Sequence, residues 1–264
     1  MNWTEGSSGG LRIRRRAGDG ARVVFLHGLY CDNSYFRGAA DMSMLDGLEL
    51  LSVDLPGFGG SAESPGDAIQ GMADALRPLL LDAGARPVLL ASHSMANSLA
   101  ARLAGLARGL VSIEGNMVPA HLALSDRLVA LDDDAFALEF ARTQRMAEYV
   151  LKWATSVTDP ELLRSLAGSY GCCSAEVVRR VARAINNDVR SGATVSRFVA
   201  AALPMLTIYG TDSGYGGTRT DLERLFPRMA FEAIEGARHF PMLDQPHRTY
   251  AALAAFVREV LKTC

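Results

Sequence analysis

The chain has 264 residues, with 27 Lys or Arg against 29 Asp or Glu, a formal net charge of −2. That balance supplies no field to hold a polyanion, so nucleic acid is not expected as a partner. Hydrophobic residues make up 49% of the chain, and the longest uncharged apolar-rich stretch, Pro87 to Ala101, is too short and too polar to span a bilayer, so no membrane partner is expected. The start, Met1 to Glu5, lacks the apolar core of a secretion signal, which points to a cytoplasmic setting. Cys31, Cys172, Cys173 and Cys264 fall at no metal-ligand spacing, and the neighbours Cys172 and Cys173 cannot readily bridge. Reduced thiols and no bound metal are the expectation.

In chain order, Leu11-Arg12-Ile13-Arg14 alternates apolar and charged residues as a half-exposed strand does. The turn signal Gly18-Asp19-Gly20 then leads to the apolar run Val23-Val24-Phe25-Leu26, so the two runs read as a hairpin feeding a buried strand. Arg12, Arg14, Arg15 and Arg16 read as a solvated edge strand rather than a nucleic-acid patch. Leu48 to Val53 is a second buried strand, closed by Asp54-Leu55-Pro56-Gly57-Phe58-Gly59-Gly60. A helix start follows, with Ser64 as N-cap, Pro65 at the first helical position and Asp67 behind it. Ile69, Met72, Ala73, Leu76 and Leu80 form its apolar face, and Pro78 should kink it or end it early. Val88-Leu89-Leu90-Ala91 is a third strand, before an Ala-rich helix from Leu99 to Leu106 and the strand Leu110 to Ile113. Alternation of this kind implies a parallel sheet covered on both faces.

From Met117 to Ala202 the strand signal disappears. Asp132-Asp133-Asp134 before Ala135 to Val150, Asp159-Pro160, and Ser174 before Glu176 to Ile185 each look like helix starts. Residues 117–202 thus read as a helical insertion between a core of residues 1–116 and 203–264. Sheet character returns at Met205 to Tyr209 and Ala230 to Ile234, around a helix from Thr220 to Phe226, and a helix from His247 to Lys262 ends the chain.

Chemistry concentrates in three turns at the carboxyl ends of these strands, where open parallel sheets place their sites. Ser92-His93-Ser94-Met95-Ala96 has the form of a nucleophile elbow, in which a strained strand-to-helix turn lifts a hydroxyl out of the sheet. The usual flanks are Gly; Ser92 and Ala96 are small enough to leave the room that turn needs. The alternative role for Ser94 is helix capping alone. In His27-Gly28-Leu29-Tyr30, the amides of Leu29 and of Met95 could hold an oxyanion, with His27 bracing the loop rather than titrating. His239, after the last strand, is placed to act as general base.

These stretches, with Asp54-Leu55-Pro56-Gly57-Phe58-Gly59-Gly60-Ser61 and His239-Phe240-Pro241-Met242-Leu243-Asp244-Gln245-Pro246, resemble the α/β-hydrolase-fold serine hydrolases that carry a helical cap. The resemblance covers nearly the whole chain in the family's order. It implies an eight-stranded, mostly parallel α/β sheet with helices on both faces, Ser94 as nucleophile and His239 as base. The family's acid commonly sits three residues after the Gly that closes the seventh strand, which here is Ser213, a residue unable to hold an imidazolium's charge. Asp212 is one place early; Glu114, after the sixth strand, is the alternative used by some relatives. Glu114 is favoured over Asp212.

Tyr30, Asn116, Tyr149 and Trp153 are candidate substrate contacts, although Tyr149 and Trp153, four apart on one helix face, read more readily as packing between cap and sheet domain. Asp54 is expected to orient the Gly-rich loop, while His121 and His247 look isolated. Gly57-x-Gly59 opens no helix and is not a dinucleotide fingerprint, so no cofactor is expected. The expected activity is hydrolysis of a small or medium carboxylic ester, lactone or thioester, a small-molecule partner held in an apolar pocket. The alternatives are C–C bond hydrolysis or perhydrolysis by the same triad, and a non-hydrolytic binder or secondary-metabolism cyclase.

Overall fold

A computed structural model describes residues 2–64 and 68–262. Its sheet has eight strands: β1 (Thr4–Ser8), β2 (Leu11–Arg16), β3 (Arg22–Leu26), β4 (Glu49–Val53), β5 (Val88–His93), β6 (Gly109–Ile113), β7 (Met205–Gly210) and β8 (Ala230–Ile234). Their spatial order is β1-β2-β4-β3-β5-β6-β7-β8. β1 and β2 run antiparallel to their neighbours, and every pairing from β4 to β8 is parallel. The apolar runs that carry no alternation, β3, β4, β5 and β6, are buried along their whole length, as strands covered on both faces must be.

One pairing differs from the sequence expectation. β2 forms its hairpin with β1 through Gly9 and Gly10, both at positive φ, the backbone a two-residue hairpin turn requires. On its other side it pairs with β4, which separates it from β3. The Gly18–Gly20 turn is therefore a crossover past β4, held by the Gly20 N–H on the Gly47 carbonyl at 2.8 Å. Gly18 is pressed so close to Leu48 that a Cβ would lie 2.3 Å from its carbonyl oxygen. The arginines of β2 are consequently not on a solvated edge. Arg12 and Arg14 pair with Glu5, Arg15 with the buried Glu49, and the buried Arg16 donates to the Ala40 carbonyl.

Among the described residues, eleven α-helices accompany the sheet, besides short 3-10 segments: α1 (Ala68–Leu81), α2 (Ala96–Leu103), α3 (Ala123–Ala130), α4 (Asp133–Arg145), α5 (Ala147–Ala154), α6 (Pro160–Ala167), α7 (Ala175–Arg190), α8 (Ala193–Ala201), α9 (Arg219–Leu225), α10 (Pro241–Asp244) and α11 (Pro246–Lys262). The expected cap box around Ser64 falls on Pro65 to Asp67, outside the described residues. α1 continues one turn beyond Pro78 to Leu81, since only the N–H that proline lacks is lost and the Asp82 N–H still reaches the Pro78 carbonyl at 2.9 Å. α1 and α2 pack together, with α8 against α2, while α11 lies on β6, β7 and β8.

The described residues between Met117 and Ala202 contain six helices and one isolated bridge, Phe58 to Cys173. Asp132, Asp159 and Ser174 cap α4, α6 and α7 through their side chains, as their sequence positions suggest. The single helix expected from Ala135 to Val150 is instead two, broken at Met146, whose φ of −107° and ψ of 20° leave the helical region. α7 is tied to α3 by Arg190 and Asn186 on Asp126, and to α2 by Asp188 on Arg102.

Candidate active site

β5 is central in the sheet, and the chain leaves it through Ser94 with φ at 55°, a left-handed value that side chains other than glycine rarely adopt. The strain is held from both sides. The Ser94 N–H donates to the Ile113 carbonyl at 3.0 Å, and the Ser94 carbonyl accepts from Asn116 N–H at 3.0 Å. The non-glycine flanks are accommodated differently: Ala96 is simply small and buried, whereas the Ser92 hydroxyl donates to Asn97 Oδ1 at 2.6 Å. Asn97 Nδ2 in turn donates to the Ser112 hydroxyl at 2.8 Å. This buried chain fastens the elbow helix α2 to β5 and β6. Gly115 is required beside it, because a Cβ there would lie 2.1 Å from Asn97 Nδ2.

His239 follows β8 in a loop fixed by other backbone groups. Its N–H donates to the Ala154 carbonyl at 3.0 Å, and its carbonyl accepts from His93 Nε2 at 2.8 Å. Asp244 binds the loop to the end of α5 by accepting from the Arg238 and Ser156 N–H groups, both at 2.7 Å. The His239 Nδ1 meets Glu114 Oε2 at 3.4 Å. Glu114 is fully buried, at φ 49°, and its Oε1 accepts from the Gly210 N–H at 2.7 Å. Asp212 stays outside, exposed, with its carboxylate taking the Thr211 hydroxyl at 3.0 Å. β7 ends hard against the histidine loop: a Cβ on Gly210 would lie 2.2 Å from the Ala237 carbonyl oxygen, and the Asp212 N–H donates to that oxygen at 3.0 Å. The carboxylate that meets His239 comes from the end of β6.

His27 explains the orientation of the facing loop. It is fully buried, and burial lowers its pKa, so the ring is neutral. Its Nε2 accepts from Leu55 N–H at 2.9 Å, which makes Nδ1 the protonated nitrogen, donating to the Gly28 carbonyl at 2.8 Å. The Cys31 N–H reaches the same carbonyl at 3.2 Å. In a trans peptide the next N–H points the opposite way, so fixing the Gly28 carbonyl fixes the direction of Leu29 N–H. Among the described residues, neither Leu29 N–H nor Met95 N–H donates to another protein group. Gly28 permits the approach, since a Cβ there would fall 2.6 Å from His93 Nδ1 and 3.2 Å from Ser94 Cβ. Asp54 holds the glycine-rich loop as expected, accepting from Asn33 N–H at 2.7 Å and Gly60 N–H at 2.8 Å.

Ser94 and His239 open onto two adjoining compartments that also share Leu29 and Leu124. The first, about 450 Å³, is walled by Met95, Asn116, Ile185 of α7, Tyr215 and His121. Tyr215, in the loop after β7, donates its hydroxyl to Asn116 Oδ1 at 2.8 Å and stacks on His121 at 4.3 Å between ring centroids. His121 is therefore not isolated: it is buried, bonded to Thr218 at 2.6 Å, and its pKa is lowered to about 4, chiefly by burial. The second compartment, about 320 Å³, is lined by Tyr30, Tyr149, Trp153 and Tyr170, and also by Arg127 and Arg142. Tyr30 stacks on Tyr170 at 5.1 Å. Tyr149 and Trp153, 54% and 70% exposed, do not pack helix to sheet but stand at this compartment's rim. The purely apolar pocket expected from composition is thus polar at one end.

Tyr215, His121, Asn97 and the two arginines were not singled out from the sequence as site residues. Only the loop after β7 carried a signal, since the acid was sought there. Cys31, Cys172 and Cys173 are free thiols; Cys264 lies outside the described residues. Among the described residues no cluster of His, Cys, Asp or Glu could hold a metal ion, and no helix is long and apolar enough to cross a membrane.

Known proteins share this architecture. Mouse sn-1-specific diacylglycerol lipase ABHD11 is 23% identical over 257 residues, covering 89% of this chain and 80% of that protein. The esterase EaEST from Exiguobacterium antarcticum superposes with a TM-score of 0.76 at 17% identity, over 98% of this chain and 100% of that one. A bromoperoxidase from Bacillus anthracis does so at 0.73 and 18%, over 94% and 96%. Likeness at these identities speaks for the fold. A model of the alpha/beta hydrolase family matches residues 23–253, and the chain belongs to that family.

Proposed function

We propose that the protein is a serine hydrolase of a small or medium carboxylic ester, lactone or thioester. The observation that carries this reading is a serine held at positive φ at the end of β5, sharing its cavity with a histidine whose far nitrogen meets a buried carboxylate. Ser94 attacks the carbonyl carbon while His239 Nε2 takes the hydroxyl proton, and the N–H groups of Leu29 and Met95 stabilise the oxyanion. His239 then delivers the proton to the leaving oxygen or sulfur. Water, deprotonated by the same nitrogen, releases the acyl group from Ser94. Glu114 holds the imidazole with Nδ1 protonated and stabilises the cation formed in each transfer.

Residues 117–202 act in this reading as a cap, since α3, α4, α5 and α7 all contribute walls to the two compartments. The mouse relative's name, a diacylglycerol lipase, and the esterase among the structural neighbours are consistent with ester substrates. The test is a fluorophosphonate label followed by mass spectrometry. Wild type should be labelled on Ser94 and Ser94→Ala should not; an unlabelled wild type that also fails to hydrolyse nitrophenyl esters and lactones refutes the proposal.

A further inference from the structure

The two compartments differ in charge. Among the described residues neither is lined by Asp or Glu, and the first is lined by no Lys or Arg either. The second presents two guanidinium groups, Arg127 from α3 and Arg142 from α4. One carboxylate serves both of them: Glu139 takes Arg142 in a bidentate pair, 2.8 Å on each arm, and Arg127 at 3.0 Å. Two cations on one anion leave one positive charge over, at the end of a compartment that begins at Ser94. Beside them Tyr30 is 3% exposed, and its hydroxyl has no hydrogen-bond partner within the protein.

We propose that the second compartment reads a carboxylate, so that the substrate is an ester carrying a second, anionic carboxyl group on the part that enters between Tyr30, Arg127 and Arg142. This rests on the serine hydrolase reading above and narrows it. A planar carboxylate matches the guanidinium fork and accepts from a phenol as well, whereas an alkyl chain would leave these donors unanswered. A cavity of this size lies in the usual range for a small ligand. Helix-stabilising ion pairs alone would account for Glu139 with Arg142, three residues apart on α4, but not for a second guanidinium, Arg127 of α3, lining the same compartment.

The test compares two para-nitrophenyl esters of equal shape, the mono-ester of adipic acid and its counterpart in which the free carboxyl is an amide, after subtraction of the uncatalysed rates. Wild type should prefer the carboxylate by about tenfold in kcat/KM, the scale of a charge-assisted pair at a half-exposed site. The preference should shrink as salt is raised. It should fall toward unity in the double variant Arg127→Gln with Arg142→Gln, and rise in Glu139→Gln, where both cations are freed. A structural role for the ion pairs would move stability without moving this ratio. Equal kcat/KM for the two esters in wild type overturns the inference alone, as does a ratio insensitive to salt and to Glu139→Gln, arms that stand even if the double variant fails to fold. Hydrolysis of neither ester overturns it alone where Ser94 still takes the fluorophosphonate label and other esters are hydrolysed, and together with the serine hydrolase reading where neither is seen.

Discussion

Replacing Glu114 by Gln keeps the volume and the carbonyl oxygen that accepts from Gly210 N–H, so the loop geometry should survive. The atom facing His239 Nδ1 becomes an amide. An N–H there favours the tautomer with the proton on Nε2, which cannot take a proton from Ser94, and the charge that stabilises the imidazolium is gone. The observed 3.4 Å separation is longer than a charge-assisted hydrogen bond in a reacting complex, a slackness common in ligand-free sites. Removing such a carboxylate in serine proteases costs about ten-thousandfold in kcat. A loss of about a thousandfold or more is expected here, equivalent to about 4 kcal/mol of transition-state stabilisation. Asp212→Asn, at an exposed loop position bonded to Thr211, should change kcat/KM by less than about twofold, within the roughly ±0.5 kcal/mol range usual for surface substitutions. Steady-state kinetics on a nitrophenyl ester, with circular dichroism to confirm folding, decides it. A larger loss for Asp212→Asn than for Glu114→Gln, or equal mild losses, would refute the assignment of the acid.

Other perturbations test neighbouring parts of the argument. His27→Phe removes the donor that fixes the Gly28 carbonyl and the acceptor for Leu55 N–H; kcat should fall by about ten- to a hundredfold with KM little changed, and an equal rise in KM would mean the loop binds substrate instead. Gly115→Ala places a methyl carbon against Asn97 and Ser112, both fully buried and bonded to each other, and should cost about 3 kcal/mol in urea unfolding. His121 is ordinarily 6.5 and is lowered to about 4 in the fold, so the unfolded chain binds more protons between those values. Its contribution to stability is complete above pH 6.5 and is lost as pH falls toward 4, by about 3 kcal/mol. Melting temperature should drop over that window in wild type and drop less in His121→Gln; identical slopes would contradict the burial argument.

The amino-acid sequence by itself marked seven of the eight strands; the eighth, β1, is polar and exposed along its whole length and carries no apolar pattern to read. Uninterrupted apolar runs such as Val23 to Leu26 can be covered only on both faces, and glycine, proline and capping residues mark where each element stops. Ser94 and His239 stand out as candidates because small neighbours and a place after a buried strand are local signals, whereas Glu114 is favoured over Asp212 through the family resemblance. Strand order was not local. Whether the Gly18–Gly20 turn closed a hairpin or crossed to a further strand depended on where Glu49 to Val53 inserted, and nothing between residues 11 and 26 encodes that. The surroundings of Glu114 were likewise not local: its carboxylate meets Gly210 N–H and His239 Nδ1, groups far from it in the chain. The cavity is the extreme case: Tyr30, His121, Arg127, Arg142 and Tyr215 come from five segments, and of these only Tyr30 is a candidate contact in the sequence. Only the docking of the helices over the strand ends brings them together around Ser94, since side-chain chemistry is written in sequence but proximity is made by burial of the apolar faces that carry them.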